Sequence, residues 1–73
     1  MPSRRASPRY PERQVSIRSH NPLALVAAVR EELRLAGAEH GDIARFTEQA
    51  LTRPDIPHVR EVAERWIGGV QAS

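Results

Sequence analysis

Apolar positions recur at helical spacing between residues 21 and 37, which is the best-specified stretch of the chain. Asn21 suits a helix N-cap, Pro22 suits the first helical turn, and Gly37 suits a left-handed C-terminal end. The apolar residues between them share one face: Leu25, Val26, Val29, Leu33 and Ala36. We therefore predict a capped helix over residues 21–37 with one buried stripe.

Leu35 lies outside this stripe, on the same side of the helix as Ala24 and Ala28. A second apolar patch on a helix that already has a buried face indicates contact with something beyond the core. A single exposed leucine is also ordinary on protein surfaces. Leu35 is therefore our candidate for a partner-facing residue.

Two further stretches have the helical period. The second helix is predicted from residue 39 or 42 to residue 51, and the third from residues 55–57 to residue 67. Gly68 and Gly69 would end the third helix and leave a fraying tail. The predicted buried residues are Ile43, Phe46, Thr47 and Ala50 in the second helix and Val59, Val62, Ala63 and Trp66 in the third. Three amphipathic helices with short connections predict an all-α, small three-helix bundle over residues 21–70.

Residues 1–20 differ from the rest in composition and charge. They hold five arginines against one acid, which gives 5 − 1 = +4, whereas residues 21–73 hold six arginines against eight acids, which gives 6 − 8 = −2. Three prolines and little apolar content predict a flexible arm, disordered or extended. Val15 and Ile17 alternate with polar residues, which predicts either a short strand over residues 14–18 that pairs with an edge on a partner or on a symmetry mate, or an extended segment resting on the helices.

The arm supplies most of the candidate binding residues. Arginine keeps its charge and binds carboxylate or phosphate with two parallel hydrogen bonds, and tyrosine can stack on a ring. The candidates for anion or partner binding are Arg4, Arg5, Arg9, Tyr10, Arg13, Val15, Ile17 and Arg18. The alternative interpretation is a solvated leader that binds nothing.

No catalytic chemistry is predicted. The chain has no cysteine, its three histidines are isolated from one another, and it contains no phosphate loop, nucleophile elbow or dinucleotide fingerprint. We expect no enzyme activity, no cofactor and no metal site. The absence of a long apolar run and of a secretory signal leads us to expect a cytoplasmic protein that does not contact membranes.

The order of a short strand, a capped helix, a glycine turn and a second helix resembles a ribbon–helix–helix repressor. In that family, paired strands of a dimer enter the major groove of DNA. The resemblance implies that Gln14, Ser16 and Arg18 would face bases. The long spacer from Ile17 to Asn21 and the third helix depart from the family pattern.

Residues 21–67 resemble small three-helix proteins, mostly uncharacterised, that bacteriophages and integrative elements encode. The residues that carry the resemblance are Val26, Val29, Arg30, Leu33, Ala36, Gly37, Ile43, Phe46, Glu48, Ala50, Asp55, His58, Arg65, Trp66 and Ile67. They are mostly core and cap positions. The resemblance implies a fold and a mobile-element setting, and it implies no activity.

These patterns together predict a non-enzymatic helical binding or regulatory module that acts through protein–protein contact, with the basic arm ordering on a partner. A core of about fifty residues supplies only ~3–5 kcal/mol, which favours a protein partner or self-association. A DNA-binding regulator, possibly a ribbon–helix–helix-like dimer that uses the arm, is the alternative hypothesis. A structural subunit of a larger assembly is a third.

Overall fold

The computed structural model describes residues 8–18 and 20–72. Its elements, in chain order, are β1 (Tyr10–Ile17), α1 (Pro22–Leu35), α2 (His40–Leu51), α3 (Ile56–Ala63) and β2 (Ile67–Ala72). β1 and β2 pair in parallel as a two-stranded sheet, and the three helices connect them. The fold is therefore α/β, and the prediction of an all-α three-helix bundle is wrong.

α1 follows the signals in its sequence. The Asn21 side chain accepts a hydrogen bond from the backbone N–H of Leu23 at 2.9 Å, and Pro22 occupies the first turn. Gly37 adopts φ 86°, a conformation that a side chain disfavours, just beyond the helix end. Four residues of the predicted stripe are buried: Leu25, Val26, Val29 and Leu33. This confirms the predicted first helix.

α2 begins at the earlier of its two predicted starts. Glu39 is its N-cap residue but makes no side-chain capping bond, and Asp42 lies in the first turn. At the other end, the His58 Nε2 atom lies 3.0 Å from the backbone oxygen of Gln49 and 3.1 Å from the Thr52 hydroxyl. The Gln49 carbonyl also accepts hydrogen bonds from the N–H and the hydroxyl of Thr52, so His58 adds a further contact at the end of α2.

α3 starts as predicted and stops early. The Asp55 carboxylate accepts a hydrogen bond from the His58 N–H at 2.9 Å, which is the predicted cap. The helix ends at Ala63, and the N–H of Trp66 bonds back to the Ala63 carbonyl in a tight turn. The predicted extension to residue 67 and the fraying tail are both wrong, because Ile67 begins β2.

The sheet joins the two ends of the described chain. Val15 is in register with Val70 and Tyr10 with Ile67, with an irregularity in β1 between Tyr10 and Gln14. β1 begins four residues before the predicted strand, and it pairs within the chain instead of with a partner. Residues from Tyr10 onward are thus part of the folded domain, so the flexible arm predicted over residues 1–20 is wrong for this part.

The helices cover one face of this sheet. The buried core comprises Val15, Leu25, Val26, Val29, Leu33, Phe46, Ala50, Val59, Val62, Ala63, Trp66, Ile67 and Val70. Val15 and Val70 contribute to it from the two strands, whereas Gln14, Ser16 and Gln71 are exposed. The opposite face of the sheet is therefore polar and open to solvent.

Candidate functional site

The two outer edges of the sheet differ. In a parallel pair, alternate residues direct their backbone groups toward the neighbouring strand, and the residues between direct them away. The carbonyl of Val70 accepts a hydrogen bond from Arg60 Nη2 of α3 at 3.2 Å, so this group lies on the outer edge of β2. Val15, which is in register with Val70, then faces β2. It follows that Gln14 and Ser16 direct their backbone groups away from β2.

The outer edge of β1 is open in the part of the chain that the structure describes. No backbone N–H or C=O of Gln14 or Ser16 bonds to a described residue on that side. The Gln14 side chain instead accepts a hydrogen bond from Gln71 at 3.2 Å on the polar face of the sheet. An open strand edge of this kind is a template for pairing with another extended segment.

Glu12 and Arg18 mark the two ends of this edge. Both are exposed, and neither forms an ion pair within residues 8–18 and 20–72. Five residues lie between them, and no ion pair joins the two. The open edge therefore carries an acid at one end and a base at the other.

The α1 helix also carries an apolar flank, formed by Ala24, Ala28 and Leu35, and its Leu35 end lies near Arg13 of β1. Arg13 of β1 fixes the placement, because its guanidinium lies 3.5 Å from the Glu32 carboxylate and donates to the Leu35 carbonyl at 3.4 Å. At 100° per residue, the flank adjoins Glu32 on the side away from the buried stripe. The Leu35 side chain is 52% exposed, so the flank has apolar surface left to cover.

A groove of about 600 Å³ lies on the other side of α1, between α1 and α2. Its lining residues are Ala27, Arg30, Glu31, Arg34, Ala38, His40, Ile43 and Ala44. Arg34 bonds to Glu31, and this hydrogen bond lowers the pKa of the Glu31 carboxyl and raises that of the guanidinium. Arg30 forms no ion pair with any described residue, so it is the one uncompensated charge in the groove.

Most of the predicted arm residues contact the body of their own chain. Arg9 lies 3.5 Å from the Asp42 carboxylate, and its guanidinium carbon is 5.6 Å from the centre of the Trp66 ring. The N–H of Tyr10 donates to the Trp66 carbonyl at 2.8 Å, and its half-buried side chain packs on the core. Arg13 pairs with α1, as described above.

The remaining predicted residues divide between the core and the surface. Val15 is buried and Ile17 is half-buried, so both serve the fold. Arg18 is exposed, and Leu35 is exposed on the α1 flank. Arg4 and Arg5 lie outside the described residues.

Sequence reasoning missed Glu12 and Arg60. Glu12 was the only acid in a basic segment, and that isolation was the available signal. No sequence signal indicated Arg60, because its bond to the Val70 carbonyl depends on where β2 lies.

The described residues offer no reactive group in an enclosed setting. The core contains no buried polar or charged side chain, and no buried side-chain nitrogen or oxygen atom of the described residues is left without a partner. Nor do any three His, Cys, Asp or Glu side chains in that part of the chain converge as metal ligands would. What the described arrangement offers is contact surface: a strand edge, an apolar flank and a shallow groove.

Across residues 8–18 and 20–72, the helices are too short and too polar to cross a lipid bilayer. Comparison with protein-family models, with curated proteins and with solved structures gives no match.

Proposed function

We propose that this chain is a non-enzymatic protein-contact module that pairs, along the outer edge of β1, with an extended segment of another chain. The open edge at Gln14 and Ser16 is the observation that carries the proposal. Strand addition gains affinity from main-chain hydrogen bonds and specificity from alternate side chains. Both sources are present on this edge.

The surroundings of β1 favour a protein as the occupant. A segment paired with β1 lies beside the Ala24, Ala28 and Leu35 flank, where its apolar side chains cover Leu35. On the polar face, Glu12 and Arg18 offer opposite charges to its two ends. Arg4 and Arg5 precede the strand in sequence and supply further contacts to acidic groups of the partner.

Removing one outward N–H tests this proposal. Ser16→Pro deletes a donor on the open edge, where proline is tolerated because no bond within the chain is lost. Ser16→Thr keeps the donor and is the matched control. The probe is a displayed library of random linear peptides, selected on the wild-type protein. We expect the selected peptides to bind the proline variant about tenfold or more weakly and the threonine variant normally. Equal binding of the peptides to both variants would exclude the outer edge of β1 as their binding site.

Duplex DNA is the second candidate, favoured by the exposed Gln14 and Ser16 on β1 and by the exposed Arg18 just after it, which forms no ion pair with a described residue. Each phosphate contact contributes a log–log salt slope of ~0.9, so two or three engaged arginines weaken binding by about ten- to fortyfold between ~50 and ~200 mM salt. Affinity for mixed-sequence duplex is measured over that range for the wild type and for Arg18→Ala. If DNA binds through β1, the log–log salt slope must be smaller for Arg18→Ala than for the wild type. Absence of binding at ~50 mM salt would eliminate DNA and leave the protein contact.

A further inference from the structure

We infer that the segment paired with β1 is β1 of a second copy, running antiparallel, so that two chains form one four-stranded sheet of order β2-β1-β1-β2. This inference rests on the proposed function and names the occupant of the same edge. The outer edges of the assembled sheet are then those of β2, where Arg60 already bonds to the Val70 carbonyl.

The hydrogen-bond pattern restricts the register. In an antiparallel pair, two opposed residues that both direct their backbone groups across the interface exchange both N–H···O bonds. Gln14 and Ser16 have outward groups, so even-numbered residues must oppose even-numbered residues. A twofold axis at Val15 meets this condition, because it sets Gln14 of each chain opposite Ser16 of the other.

Charge selects among the registers that remain. With the axis at Val15, Glu12 of each chain comes next to Arg18 of the other, just beyond the two ends of the regular ladder from Gln14 to Ile17, where their flexible side chains form two ion pairs. Moving the axis to Gln14 sets Glu12 opposite Ser16, and moving it to Ser16 sets Gln14 opposite Arg18. Opposite charges on facing positions stabilise a strand pair. The unpaired acid and base at the ends of β1 thus complement each other in a second copy and in one register only.

The helical layer agrees with this arrangement. An antiparallel pairing of β1 strands places both α1 helices on the same face of the sheet, one on each side of the axis. Their facing flanks consist of Ala24 and Ala28, which are small enough for close approach, and of the exposed Leu35.

Two measurements on the full chain test for the dimer. Molar mass by sedimentation from ~1 μM to ~1 mM should rise toward twice the mass of one chain. Over the same range, the amides of Gln14 and Ser16 should pass from fast to slow hydrogen exchange, whereas that of Val15 should be slow throughout. The inference would be overturned by the mass of a single chain at every concentration, or by hydrogen exchange at Gln14 and Ser16 that does not depend on protein concentration.

A charge-reversal cycle tests the register. Glu12→Arg or Arg18→Glu alone sets like charges opposite each other twice per dimer, so we expect each to weaken the dimer about tenfold. The double variant restores both pairs and should restore the wild-type dissociation constant. Failure of the double variant to recover would refute this register. If the chain never dimerises but peptides still bind the outer edge of β1, the second copy is refuted as the occupant and the proposed function is preserved. Loss of both peptide binding and dimer would refute both.

Discussion

Replacing Gly68 with alanine should unfold much of this protein, because β1 crosses directly over that position. A Cβ atom built on Gly68 would lie 2.0 Å from the Pro11 carbonyl oxygen and 2.9 Å from its carbon. Ordinary contact begins at 3.4 Å, so the backbones would have to separate by 3.4 − 2.0 = 1.4 Å. The neighbouring Gly69 has nothing within 4 Å of its added Cβ and is the matched control.

The expected costs of the two variants have opposite signs. Overpacking typically costs ~1–3 kcal/mol, and a backbone obstacle belongs at the upper end of that range. Gly69→Ala should be neutral or stabilise by about 0.4–1 kcal/mol, because it restricts the unfolded chain. A domain with only ~3–5 kcal/mol in total would therefore lose most of its stability in Gly68→Ala.

Urea unfolding followed by the fluorescence of Trp66 and by far-ultraviolet circular dichroism measures this difference. We expect the midpoint to fall sharply for Gly68→Ala and to stay or rise for Gly69→Ala, with similar slopes. Coincident midpoints for the two variants would refute the close approach of β1 and β2 at Pro11, and with it this part of the sheet.

Three other substitutions or deletions have clear expected outcomes. Trp66→Ala should cost ~3–5 kcal/mol and abolish a cooperative melt, since the ring is buried; a melt near the wild-type midpoint would remove Trp66 from the core. A chain that starts at Arg13 should melt well below one that starts at Pro8, because it lacks the Tyr10 bond to Trp66 and the first three residues of β1; equal melting temperatures would show that this part of β1 contributes nothing to stability. His58→Ala should lower the free energy of unfolding by about 0.5–1 kcal/mol, because it removes the contacts at the end of α2, while His40→Ala, an exposed control at the start of α2, should leave it unchanged. Equal chemical-denaturation midpoints for the two variants would show that the His58 contacts do not contribute to stability.

The helices could be predicted because their signals are local. Asn21 and Asp55 cap the helices that follow them. The sequence spacing alone identified the buried faces, although in α2 only Phe46 and Ala50 of the four predicted residues are fully buried. β2 could not be predicted in the same way. Gly68 and Gly69 are typical of a helix end, and only their position opposite β1 shows that they permit two strands to approach closely.

The candidate site was predictable in part for the same reason. Period-2 alternation placed Val15 inward and Gln14 and Ser16 outward, as the structure has them. Which edge of β1 stays open depends on the parallel pairing with β2, a contact between residues more than fifty positions apart. The role of Arg60 depends on that same contact, so no local pattern could indicate either.

The parallel pairing of the first and last elements also sets the order of events on the ribosome. The N-terminal strand leaves first, and Ile67 follows Ile17 by fifty positions (67 − 17 = 50). At about 5–20 residues per second, roughly 3–10 s pass before β2 begins to be made. During that interval both edges of β1 are uncovered in the nascent chain. The proline at position 11 and the charges of Glu12, Arg13 and Arg18 are features that discourage indiscriminate strand pairing, and it is during synthesis that this protection matters most.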